Sequence, residues 1–261
     1  MTGIFLLLIF VSHAIAFSPS EKVTEKSYLE SIDRAQSLFG PYIAISGNIL
    51  HIEKNWSTDS SISSASYERP PVYLIKLSGG AFRTKTMTND GLAFTICHEI
   101  NHFIGGEPKY SPGYWPSVEG QADYMASNAC LKSFWEGEDH KDSIAQMEIP
   151  RAISEICGQE ALCIRSVMAG YVFAENYRQF KLTSVEYGKK YPPISFSKRD
   201  PLVVRETNRS YSSPQCRFDS ALAGALCEKG KMFDVRDWRD PGELVCDEGL
   251  GQRPGCWFLS K

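Results

Sequence analysis

Eight cysteines, all after residue 96 of a 261-residue chain, constrain the fold before any helix or strand is assigned. An even count without a C-x-x-C pair suits disulfides and not a zinc ribbon. Cys157 and Cys163 bracket G-Q-E-A-L and can close that short loop directly. Cys216 and Cys227 bracket R-F-D-S-A-L-A-G-A-L. If that stretch is one helix, the two stand about 16 Å apart along its axis, beyond any disulfide span. Each then needs a partner in the tail, where Cys246 and Cys256 lie. Four cysteines allow three pairings. Cys97 and Cys130 stay open between a mutual bond and two buried thiols.

The N-terminus points to export, the setting in which an even cysteine count means disulfides. An apolar run from Ile4 to Val11 precedes Ala14-Ile15-Ala16, the small-residue pattern of a signal peptide cleaved after Ala16. The run is too short to span a bilayer, and no later segment is apolar enough to do so. The expected mature chain, from Phe17 onward, carries no transmembrane segment and is periplasmic or secreted. Its length suits one domain with a sizeable core. With a net charge of −3, a pI near 6.0 and no basic block, nucleic acid is not expected as a partner.

Residues 22–38 have helical apolar spacing and stop at Gly40-Pro41. Residues 42–53 suggest a hairpin turning at Ser46-Gly47-Asn48. The Ser-rich stretch 54–71 reads as an exposed loop. V-Y-L-I-K-L (72–77) has strand character, and A-F-R-T-K-T (81–86) is expected to pair back. Thr88 to Ile104 is a helix with N-cap oxygens at Thr88, Asn89 and Asp90 and a stop at Gly105-Gly106. A Pro- and Tyr-rich loop leads to a second helix over 117–135. Residues 136–149 are charged and read as exposed. Helical stretches near 150–158 and 161–181 precede a loop-rich, disulfide-tied end. The class is α+β: a small sheet with a mostly helical remainder.

The first clear helix contains His98-Glu99-Ile100-Asn101-His102. Histidines at i and i+4 project in parallel, about 6 Å apart, and can ligate one zinc ion. Glu99 is turned about 100° from His98, so it reaches a zinc-bound water and not the ion, the H-E-x-x-H arrangement. Leu92, Ile96, Ile100 and Phe103 form an apolar stripe on another face. A metzincin third histidine is excluded, because Pro108 holds its position. Glu119, 17 residues beyond His102, is the expected third ligand, with the fourth position left to water. Asp123, one turn on, is placed to accept the free N–H of a ligating histidine. His51 and His140 lack ligand-spaced neighbours and read as surface residues. Asn55 and Asn208 head glycosylation sequons. No G-x-S-x-G or phosphate-binding glycine loop is present.

Together, H-E-I-N-H (98–102) and E-G-Q-A-D (119–123) resemble the gluzincin metallopeptidases, in particular the branch of the CAAX prenyl endopeptidases and their soluble relatives. The resemblance spans roughly residues 72–135. The whole chain is read as one zincin-like domain over 17–200, with residues 201–261 as a cysteine-rich extension packed on it. The resemblance implies zinc as cofactor, His98, His102 and Glu119 as ligands, Glu99 as general base and Asp123 as the carboxylate that orients a ligand. In that branch a later H-P-x-x-x-x-R element supplies an oxyanion donor and a buttressing arginine. Here Tyr211 and Arg217 stand at the same spacing, tyrosine replacing histidine. A strand upstream of the metal helix, 72–77 or 81–86, is expected to receive the substrate backbone. The expected activity is an exported zinc endopeptidase acting on protein or peptide substrates. The alternative is an exported binding or assembly factor that keeps the fold and a structural zinc without turnover.

Overall fold

The computed structural model describes residues 21–69, 71–185, 191–229 and 241–260; the expected leader, 1–16, lies outside them. Helix α1 (Glu25–Ala44) opens on a capping box in which Thr24 accepts from Ser27 N–H. It runs through Pro41 instead of stopping there, and Tyr42 and Ile43 sit buried in the core. The expected hairpin over 42–53 is therefore absent, because its first strand is the last turn of α1. Burial of those two side chains outweighs the one hydrogen bond that proline removes.

Three strands form one mixed sheet: β1 (Ile49–Asn55), β2 (Ser63–Glu68) and β3 (Val72–Ser78), in the order β1-β3-β2. β1 runs parallel to β3, with Ile49 opposite Val72 and Asn55 opposite Ser78. β2 is antiparallel, with Ser63 opposite Leu77 and Glu68 opposite Val72. The 54–71 stretch is thus part strand. Backbone pairing to β3, not apolar side chains, holds β2 at the sheet edge. The expected pairing of 81–86 also fails: the chain instead makes a one-turn helix, α2 (Gly79–Phe82).

Helix α3 (Asn89–Ile104) starts at Thr88, whose side chain accepts from Gly91 N–H at 3.1 Å. Its stripe of Leu92, Ile96 and Ile100 joins Ile32, Phe39 and Ile75 in one core between α1, the sheet and α3. Tyr28 ties α1 to the sheet by donating to Leu77 O at 2.6 Å and accepting from Asn55 N–H at 3.0 Å. The second helix expected over 117–135 is present but bulged: α4 (Glu119–Met125), a π-turn (Ala126–Cys130) and α5 (Leu131–Phe134). Short α6 (His140–Ile144) and α7 (Arg151–Ile156) precede the long α8 (Ala161–Phe180). α9 (Pro214–Leu226) packs on α8 and α4.

Four disulfides close this arrangement. Cys97–Cys130 joins α3 to the π-turn, and Cys157–Cys163 closes its short loop. Cys216–Cys256 and Cys227–Cys246 tie the start and end of α9 to the tail. Among the described residues no helix is long and apolar enough to cross a membrane.

Candidate metal centre

The face of α3 away from its apolar stripe carries His98, Glu99 and His102 into a cleft of about 630 Å³. The loop after α3 then folds back. Ser117 N–H donates to His102 O at 2.8 Å, Ser117 Oγ to Gly106 O at 2.7 Å, and Gln121 Nε2 to Gly105 O at 2.8 Å. The carbonyls that α3 cannot satisfy internally are thereby used to dock the start of α4, and Glu119 is its first residue.

One donor atom each from His98, His102 and Glu119 lies within 4.8 Å of the others. The two Nε2 atoms are 3.2 Å apart. His98 Nε2 is 3.4 Å from Glu119 Oε2, and His102 Nε2 is 3.7 Å from Glu119 Oε1. A tetrahedral zinc site with arms of about 2.0–2.1 Å has donor–donor edges of roughly 3.3–3.4 Å. The Nε2–Nε2 separation is close to that value, and either carboxylate oxygen approaches one of the two rings to within a few tenths of an ångström of it, so these residues fit a small cation.

The outer ring atoms fix which nitrogens face inward. His102 Nδ1 donates to Ser117 O at 2.8 Å. Since a carbonyl only accepts, Nε2 of the neutral ring is left with its lone pair toward the cleft. His98 Nδ1 stands 2.8 Å from Asp123 Oδ1 as an ion-pair contact without regular hydrogen-bond alignment. Arg217, from α9, grips Asp123 with Nε and Nη2, both at 2.8 Å, and reaches Glu119 Oε2 at 3.1 Å. Its guanidinium lies 4.6 Å from the Phe173 ring centre and 4.8 Å from that of Tyr177.

Charge in this buried cluster does not balance. Three carboxylates (Glu99, Glu119 and Asp123) face one guanidinium, leaving two negative charges when both imidazoles are neutral. That is the charge of one divalent cation. Without one, protons are drawn in. Burial opposes a charge on His98, but Asp123 and Glu119 outweigh it and raise the ring to about 9. Burial raises Glu99 to about 7. Burial and the neighbouring His98 lower His102 to about 4. Although burial pulls it the other way, Glu119 is held well below the usual carboxylate range by His98 and Arg217.

Glu99 differs from the other acids. It is 6 % exposed and lines the cleft, and among the described residues its carboxylate has no hydrogen-bond or ion-pair partner. Tyr211 sits at the rim, 60 % exposed and stacked on Tyr177. The charge of Glu119, then burial, pushes its hydroxyl up to about 12. His51 is exposed on β1, and His140 Nδ1 lies 3.4 Å from Arg165; neither joins the triad.

The strand beside the cleft is β2, with Ser63, Ser64 and Ala65 on its wall; no residue of 72–77 lines it, and of 81–86 Ala81 and Phe82 do, from the short helix α2 and not from a strand. β3 is the central strand and 81–86 is no strand. Three contributors have no spacing signature in the sequence: the Ser117 carbonyl on His102, the Tyr110 hydroxyl on Glu119 at 2.9 Å, and the Phe173–Tyr177 cradle of Arg217. Tyr110 belongs to an aromatic loop that is visible as such, but nothing in its spacing points to Glu119. No family model, curated protein or solved structure matches the chain.

Proposed function

We propose that this chain is an exported zinc endopeptidase. The observation that carries the reading is the Glu99 carboxylate, unpartnered among the described residues, beside three converging donors with a cation-sized gap between them. Zinc bound there supplies Lewis acidity, polarising the scissile carbonyl and acidifying a water molecule. His98, His102 and Glu119 hold the ion. Asp123 and Ser117 O orient the two rings, and Arg217 keeps Asp123 and Glu119 ionised. Glu99 takes the proton of the attacking water and returns it to the leaving amine. The substrate backbone lies along the free edge of β2 and adds to the sheet as a further strand. Tyr211, at the rim, is the candidate donor to the developing oxyanion. Two imidazoles and one carboxylate also hold non-haem iron; zinc is favoured because the two histidines sit i, i+4 on one helix with Glu99 between them, the H-E-x-x-H arrangement. Four disulfides suit the oxidising compartment that export implies.

The test is cleavage of casein and of a peptide library by the purified chain, with and without a chelator. Glu99→Gln should retain zinc and lose roughly 10²–10⁴-fold in rate. Retained zinc with every assayed function unchanged in Glu99→Gln rejects the enzyme in favour of a binding or assembly factor.

A further inference from the structure

Both oxygens of the third donor are held before any ion arrives, and by different parts of the fold. Arg217 Nη2, from α9, donates to Glu119 Oε2 at 3.1 Å. The Tyr110 hydroxyl, from the loop between α3 and α4, donates to Oε1 at 2.9 Å. Tyr110 is fixed in turn. Its N–H donates to Pro116 O at 3.1 Å. Arg209 Nη1 donates to the carbonyls of Tyr110 and Lys109 at 3.1 and 2.6 Å. Its ring packs against the cluster that contains Val118 and Trp257.

We infer that Tyr110 is a positioning residue of the metal centre, setting the rotation of the Glu119 carboxylate so that it meets the two imidazoles in register. This rests on the reading of His98, His102 and Glu119 as metal ligands. The physical reason lies in the glutamate side chain. Its terminal torsion is broad and roughly two-fold, so a carboxylate tethered at one oxygen still swings. A second tether removes that freedom in advance, and preorganisation of this kind appears as affinity. A phenol suits the place because it is a neutral donor: it orients the anion without adding a positive charge beside a cation site. Tyr211 does not do this work. Most of it faces solvent, and among the described residues it has no hydrogen bond to Glu119.

The experiment measures zinc affinity of the full chain by competition with a chromophoric chelator, for wild type, Tyr110→Phe, His98→Ala and Glu119→Ala. Thermal unfolding of each metal-free protein is measured in parallel. Phenylalanine keeps the ring and removes only the hydroxyl. The inference predicts zinc binding roughly 10–100-fold weaker in Tyr110→Phe, with the metal-free unfolding midpoint lowered by no more than the roughly 3–12 °C that one lost hydrogen bond to a charged group accounts for. Affinity within twofold of wild type, while His98→Ala and Glu119→Ala lose binding, overturns the inference and leaves the triad standing. A metal-free midpoint lowered by more than about 12 °C alongside the weaker binding assigns the hydroxyl to loop support and also overturns it. If His98→Ala and Glu119→Ala bind zinc like wild type, the triad reading fails and the inference fails with it.

Discussion

His98 sits between two carboxylates, and its ring answers their charge by holding a proton up to about pH 9 when no cation is present. Ligation needs the neutral ring, so below that pH a metal ion must displace the proton. The sign follows: apparent zinc affinity rises by about tenfold per pH unit from 7 to 9 and then levels. Calorimetry in buffers of different ionisation enthalpy should find about one proton released per ion at pH 7.5. Affinity flat over that range means that His98 is already neutral and the charge imbalance has been misjudged. Much of this chemistry is legible residue by residue. The i, i+4 spacing exposes His98 and His102, and the same spacing exposes Glu119 and Asp123. What spacing cannot show is a partner that acts through its backbone, as Ser117 O does on His102. Gly120 is another such case. A Cβ there would come within 2.2 Å of the Trp257 indole, so the glycine beside Glu119 lets the tail press against α4. Only the folded chain reveals that need.

At the scale of elements, α9 carries the largest consequence. Its Arg217 is buried between Asp123 and Glu119, and truncating one partner of a buried ion network leaves uncompensated charge. Arg217→Ala should destabilise the chelator-treated protein by about 3–5 kcal/mol in denaturant unfolding. A loss under about 1 kcal/mol, the range of exposed pairs, contradicts the placement of Arg217. Helices with caps and periodic apolar faces are readable from sequence, as α3 shows from Thr88 to Gly105. The sheet is less so. β2 is nearly devoid of apolar side chains because edge pairing to β3, and not burial, makes it a strand. The end of α1 imitates a strand because Tyr42 and Ile43 are apolar for a helical reason, their contact with the core. Arg217 was reachable through its spacing from Tyr211, yet its pairing with Asp123 spans 94 residues and is a property of the fold.

For the whole molecule, the cysteine-rich tail is part of the centre. Cys216–Cys256 and Cys227–Cys246 fasten α9 at both ends, and the first adjoins Arg217. A cross-link spanning 40 residues stabilises by about 4 kcal/mol through the unfolded chain. Helical geometry bars a Cys216–Cys227 bond, while the choice between the two remaining pairings depends on the path of the tail. A ligand held by three buried side chains also stabilises the whole fold. With free zinc at about 1,000 times its dissociation constant, the gain is about 4 kcal/mol. Chelation should then lower the unfolding midpoint by roughly 8–16 °C, and an unchanged midpoint means that no ion is bound at this depth. The most direct test is X-ray absorption at the zinc edge of the purified protein. Two imidazoles with oxygen ligands, all at about 2.0–2.1 Å, are expected in the wild-type protein, and no bound zinc should be recovered in Glu119→Ala. Sulfur at about 2.3 Å, or a shell without imidazole scattering, contradicts the account.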